Sequence, residues 1–265
     1  MARRPEPKRE GEIMMRTVGL RGFVLALAAI ICLPLASSAQ AASHDGQPIQ
    51  IKTAIGTSLD AYAVGPEDAN AGILVLHDRF GLDESALQAA DRLAAKGYRV
   101  LAIDLFDRRT QTDLELAQKL TTQIDPVWNE TNVKAGLAFL RQAGGRKLAV
   151  VGWGFGGGVA LRSAFAGPAD LAAVVNVYGE LPSDANPGLK VHCAVLNIFA
   201  SPDPVYIESR VTAFEESMRA YRRPVAAMKV NAAAGFANPR NPSYNSGAET
   251  SAWQRIEEFL AEVMR

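Results

Sequence analysis

The sequence predicts an α/β fold: a mostly parallel sheet with helices on both faces. Two observations carry this. Apolar runs of strand length alternate with stretches of helical spacing, as β-α units require. Several of those runs hold uninterrupted apolar stretches: GILVL in GILVLH (72–77), LAVVGW in KLAVVGW (147–153) and LAAVV in LAAVVNVYG (171–179). A strand with one solvated face would alternate, so continuous runs mark strands buried on both faces.

Taken in order, IQIKTAI (49–55) and LDAYAV (59–64) read as an opening antiparallel pair around Gly56-Thr57-Ser58, a short glycine-bearing turn. GILVLH follows as a buried strand. ESALQAADRLAAKG (84–97) has helical spacing and ends on a glycine. YRVLAIDL (98–105) is the next strand, and DLELAQKL (113–120) and NVKAGLAFLRQAGG (132–145) are helical. KLAVVGW leads into a helix through VALRSAFA (159–166). Strands at 171–179, 191–200 and 225–231 and helices at 205–221 and 250–264 complete the chain.

The chain begins with a different kind of segment. FVLALAAIICLPLA (23–36) is apolar, follows Arg16 and Arg21, and precedes Ala39-Gln40-Ala41. A charged flank, a short apolar run and a small-x-small site are the layout of a secretory signal peptide. Residues 1–41 are therefore expected to be a removable leader, with Met14 or Met15 as alternative starts, and 42–265 a single exported domain, periplasmic or secreted. The whole chain has 28 basic and 28 acidic residues; residues 1–41 carry six and three, which leaves 22 and 25. A net charge near −3 gives no electrostatic reason to expect nucleic acid or a membrane surface as partner. Cys193 is the one cysteine after the leader and cannot form an internal disulfide. No zinc-ligand spacing is present, and no metal or other cofactor is expected.

In open parallel sheets the site lies at the carboxyl ends of the strands. Five strand-end loops stand there: HDRFG (77–81), DLFDRR (104–109), GWGFGG (152–157), ASPDP (200–204) and AAAGFANP (232–239). Their order and content resemble the dienelactone hydrolase family of α/β-hydrolases, from about Gly72 to the C-terminus. HDRFG is similar to the family's Glu-x-x-Gly segment, with Asp78 in the acidic place. GWGFGG is similar to its Gly-x-Cys-x-Gly-Gly elbow. Asp203 falls on the triad aspartate, and GFAN falls just after the triad histidine.

The resemblance implies an α/β-hydrolase fold and a mechanism in which a histidine takes the proton of the elbow nucleophile, leaving a thiolate or alkoxide to attack, while an acid orients the histidine. Carried over residue by residue, the nucleophile position is Gly154 and the histidine position is Ala234; Asp203 is the remnant acid. The oxyanion donors would be the N–H groups of Phe155 and Arg79, which a glycine at 154 leaves in place. One of the family's carboxylate-holding arginines falls on Arg108, suited to a carboxylate by its planar fork. The other falls on Asn238, with Arg240 close but out of register. The chain's histidines are His44, near the expected mature N-terminus, His77 at the correct edge, and His192 at the opposite edge.

Glycine tolerates the strained elbow conformation freely. A glycine-rich phosphate loop fits less well: Gly152, Gly154 and Gly157 match Gly-x-Gly-x-x-Gly but follow about the fifth strand, and no Lys-Ser/Thr follows them. The expectation is a non-hydrolytic binder of a small molecule, a carboxylate among the candidates, with Asp78, Arg79, Arg108 and Phe155 at the ligand. The alternatives are an ester or lactone hydrolase that uses water activated by Asp78 or His77, and a protein-interaction module. A pocket closed by Trp153 and Phe155 would favour the module. An open pocket with Arg108 turned inward would favour the binder.

Overall fold

The computed structural model describes residues 44–265, apart from 166, 169, 184, 185, 204 and 205. The leader expected at 1–41 lies outside the described residues. Eight strands, β1 Gln47–Lys52, β2 Ser58–Val64, β3 Ala71–Leu76, β4 Arg99–Ile103, β5 Lys147–Trp153, β6 Leu171–Val177, β7 Ala194–Ala200 and β8 Val225–Val230, form one sheet. Its order is β1-β2-β4-β3-β5-β6-β7-β8. β1 and β2 pair antiparallel, as do β2 and β4; from β4 onward every pairing is parallel. The carboxyl ends of β3 to β8 therefore share one edge.

Continuous burial of the strands has a direct structural counterpart. Along β3, Ile73 and Val75 enter one core and Leu74 and Leu76 the other, all four at 0% exposure. Each such side chain contributes roughly 1.5–3 kcal/mol by leaving water. Helices α1 (Glu84–Ala94) and α7 (Ser246–Val263) cover the first face. Helices α2 (Leu114–Gln123), α3 (Pro126–Gln142), α4 (Phe155–Phe165) and α6 (Glu208–Ala220) pack into the core on the second. A single turn, α5 (Pro187–Lys190), precedes β7.

Several boundaries differ from the sequence reading, each for a local reason. β1 ends at Lys52, not 55, because Thr53 closes a loop: its N–H donates to Thr57 O (2.9 Å) and its carbonyl accepts from Gly56 N (3.0 Å). α3 starts six residues earlier than its apolar spacing, on Pro126, with the Asp125 carboxylate accepting from Val127 N. The spacing fails there because Val127 is exposed while Asn129 and Asn132 face inward. α7 starts at Ser246, capped by Asn245, whose side chain accepts from Ala248 N. His44, expected near a free end, is held on α1 by Asp91 (2.6 Å) and Glu84 (3.0 Å). Among the described residues, no helix is long and apolar enough to cross a membrane.

Candidate functional site

β5 ends at Trp153 and α4 begins at Phe155, so Gly154 alone makes the strand-to-helix turn. It sits at φ +50°, in the left-handed region, and its N–H donates to Val177 O at 2.8 Å. The helix begins four residues before the VALRSAFA expectation because the following glycines are packing residues. A Cβ built at Gly156 would lie 2.3 Å from His77 O, and one at Gly157 would lie 2.3 Å from Asn176 Oδ1. Position 154 differs from both: the nearest atom to a Cβ there is Tyr178 Cε2 at 3.5 Å, ordinary contact. A side chain has room at 154, and only the backbone opposes it. Gly154→Ser is therefore expected to lower stability by about 1–3 kcal/mol. An unchanged or raised denaturant midpoint would show that the turn carries no such strain.

Gly154 opens on a cavity of about 530 Å³ whose walls also hold Phe155, Arg79, Asp203 and Ala234. The loops after β3, β5, β7 and β8 thus bring five of the singled-out residues to one space. Phe155 is the first residue of α4, so its N–H is among those without an acceptor inside the helix. Arg162 and Glu180 line the same cavity. The Arg162 guanidinium lies over Gly158, where a Cβ would stand 3.3 Å from Nη1. The residue is open to solvent on its cavity side, yet surrounding protein lowers its pKa from the ordinary arginine value, and Glu180 offsets part of that. Among the described residues, neither Arg79 nor Arg162 makes a hydrogen bond or ion pair through its guanidinium.

Tyr178, just past β6, is a partition. It lines this cavity and also a second, smaller chamber of about 170 Å³ that contains His77, Asp78, Trp153 and Trp253. His77 has both ring nitrogens committed to backbone: Nδ1 to Asp78 O (2.7 Å), and Nε2 accepting from Leu105 N (2.9 Å). That pattern is a neutral ring, N–H on Nδ1, stitching the loop after β3 to the loop after β4. It leaves no nitrogen to act as a base. Asp78 is 7% exposed. Burial pushes its carboxyl up to about 6.

This architecture, with a glycine elbow between the fifth strand and its helix, coincides with a match in the comparisons. The model of the dienelactone hydrolase family aligns with residues 59–264. The chain belongs to the dienelactone hydrolase family. A relative from Saccharolobus solfataricus named "Putative carboxymethylenebutenolidase" is 24% identical over 251 residues, 79% of this chain and 96% of the relative. Two solved structures share the fold. A dienelactone hydrolase-like promiscuous phosphotriesterase from metagenomic libraries has a TM-score of 0.71 at 24% identity, over 83% of this chain and 99% of that one. An esterase of Pyrococcus furiosus has a TM-score of 0.62 at 16% identity, over 84% and 94%.

Within this family frame, three residues stand elsewhere than the resemblance implied. Arg108 does not face the cavity. Asp107 and Arg108 both take positive φ (53° and 65°), and this turn carries the guanidinium to Asp60 on β2, where Nη2 donates to Oδ1 at 2.9 Å and Nε to Oδ2. It is an exposed surface pair. Asn238 is buried at the small chamber, accepting from Ser85 Oγ at 3.0 Å, and Arg240 lies 3.7 Å from Asp83. Asp78 lines the small chamber, with its Cβ 3.8 Å from the place that a Cβ at Gly154 would take. Arg162 went unseen in the sequence because a helical arginine reads as a solvated surface cation. The available signal was its position one helical turn after Gly158, where a missing side chain leaves room for the guanidinium to fold back.

Proposed function

We propose that this family member is an exported protein that binds a small carboxylate at the elbow cavity without hydrolysing it. The observation that supports this is the composition of one space. Gly154 and Ala234 stand at the positions that the family resemblance gives to a nucleophile and its base, and Arg79 and Arg162, neither hydrogen-bonded through its guanidinium among the described residues, line the same walls, with Glu180 acting on Arg162. A carboxylate answers a guanidinium in two-point geometry. Arg79 and Arg162 take the role that the sequence resemblance gave to Arg108. The cavity is open, and Trp153 is turned into the core beneath α7, which speaks against a closed interaction module.

The test is an aryl-ester assay beside a melting-temperature screen with benzoate and maleate. The natural protein should show no turnover above a Gly154→Val control. Carboxylate-dependent stabilisation should fall when Arg79 or Arg162 is changed to Gln. One feature favours the hydrolase alternative: burial pushes the Asp78 carboxyl up to about 6, in the range of a general base. Turnover that survives Gly154→Val and is lost in Asp78→Asn would establish that reading instead. Export rests on the leader-like run at 23–36. Mass spectrometry of the exported protein should find an N-terminus at or near Ala42, and an intact leader would overturn export by cleavage.

A further inference from the structure

The small chamber adjoins the elbow cavity across Tyr178, and Asp78 stands beside the elbow itself, its Cβ 3.8 Å from where a Cβ at Gly154 would lie. The chamber lies between α1, α7 and the loop after β8, with Tyr178 at its back. Its volume, about 170 Å³, is roughly ten times what a single water needs. Asp78, Asp83 and Glu249 bring acidic groups to it; Arg92 is the cation on its wall.

Most of these charges are already engaged. Asp83 caps α1 and stands 3.7 Å from Arg240. Glu249 accepts from the Tyr244 hydroxyl at 2.7 Å. Arg92 pairs with Glu257 at 2.6 Å, and its guanidinium covers the Trp253 ring at 4.6 Å. Asp78 is different. Its Oδ1 accepts from Phe80 N at 3.1 Å, and no group among the described residues pairs with its other oxygen. Arg79, next in sequence, acts on it only at longer range. A second polar group is also unanswered. Tyr178 is 6% exposed, and its hydroxyl, beside the Ala237 amide, makes no hydrogen bond of full geometry among the described residues. The Tyr178 backbone is held at φ +42°, an uncommon conformation for a bulky residue, which fixes the ring at this wall.

A buried carboxylate with one oxygen unpaired is costly even with Arg79 acting on it from a distance, and a cation in direct contact lowers that cost. The donor set selects the kind of cation. One carboxylate oxygen among aromatic faces is a poor cage for a metal ion, which wants several oxygen or nitrogen ligands. It suits an ammonium group, which gains from a carboxylate and from the faces of Trp and Tyr rings together. Trp153 and Trp253, with ring centroids 5.4 Å apart, and Tyr178 supply those rings, and Arg92 already occupies the Trp253 face. We propose that this chamber is a second binding site, for a small organic ammonium ion, with Asp78 as its counter-charge and Trp153 and Tyr178 as its aromatic walls.

The experiment compares methylammonium chloride, tetramethylammonium chloride and sodium chloride at equal concentration and pH 8, by thermal melting and titration calorimetry. The ammonium salts should raise Tm by about 5 °C more than sodium at saturation. Asp78→Asn keeps the acceptor for Phe80 N and removes the charge, so it should weaken both ammonium ions at least about tenfold. Circular dichroism of the variant checks that the fold is retained. Equal shifts with sodium and ammonium salts would overturn the site, as would ammonium binding undiminished in folded Asp78→Asn. None of these readouts depends on ester turnover or on carboxylate binding at the other cavity.

Discussion

Gly154→Cys combined with Ala234→His is expected to turn the protein into a weak esterase, roughly 10- to 100-fold above the natural chain on an aryl acetate. Both positions line the cavity that also holds Asp203, and both have space for a side chain. A thiol at 154 would stand directly before the N-terminus of α4, where unpaired amide groups favour the thiolate. The family resemblance gives the oxyanion donors to the amides of Phe155 and Arg79, two residues on the same cavity wall. Neither substitution alone should approach the pair, because nucleophile and base act as a unit. The gain stays modest because the shell around position 234, Asp203 included, is not held to catalytic geometry for an imidazole. A folded double variant with no activity would show that position 234 is not the place of the base.

Gly156→Ala should be far more damaging than any change at Gly154, at about 3–5 kcal/mol. The new Cβ would lie 2.3 Å from His77 O and 2.4 Å from Leu76 O. Those atoms are backbone at the end of β3, a strand buried on both faces, and cannot swing aside. His77 is moreover tied to the loop after β4 through its ring, so a displacement there spreads to a second loop. Urea unfolding measures the difference. A loss at 156 no larger than at 154 would mean that α4 can back away from the sheet, and that the glycines are not what seats it.

The fold was legible because burial of both sheet faces writes itself into the sequence as uninterrupted apolar runs such as ILVL and AVV. The start of α4 was not, because Phe-Gly-Gly-Gly has the propensity of a loop. Its glycines are set by approach distances to His77 and Asn176, and no local pattern carries those. The gathering of Gly154, Arg79, Phe155, Asp203 and Ala234 at one space follows from strand order alone, since each sits just past the carboxyl end of a strand. Side-chain direction does not follow from it. Arg108 is in the correct loop, but two successive positive-φ residues turn it towards Asp60. Arg162 is on a helix, and only the absence of a Cβ at Gly158 lets it bend back. The small chamber was invisible because it joins α1 to α7, residues separated by most of the domain.

The positive φ at Gly154 has an evolutionary consequence. Selection for folding and selection for turnover pull that position in opposite directions: glycine relieves the turn, and any reactive residue strains it. A nucleophile at an elbow therefore persists only while turnover itself is selected, and drift towards glycine is rewarded with stability as soon as it is not. The way back is not symmetric. A return that begins at the elbow passes through a less stable form before any base is in place, so that first step carries a penalty and no benefit. An elbow glycine behaves as a ratchet, easy to enter and hard to leave.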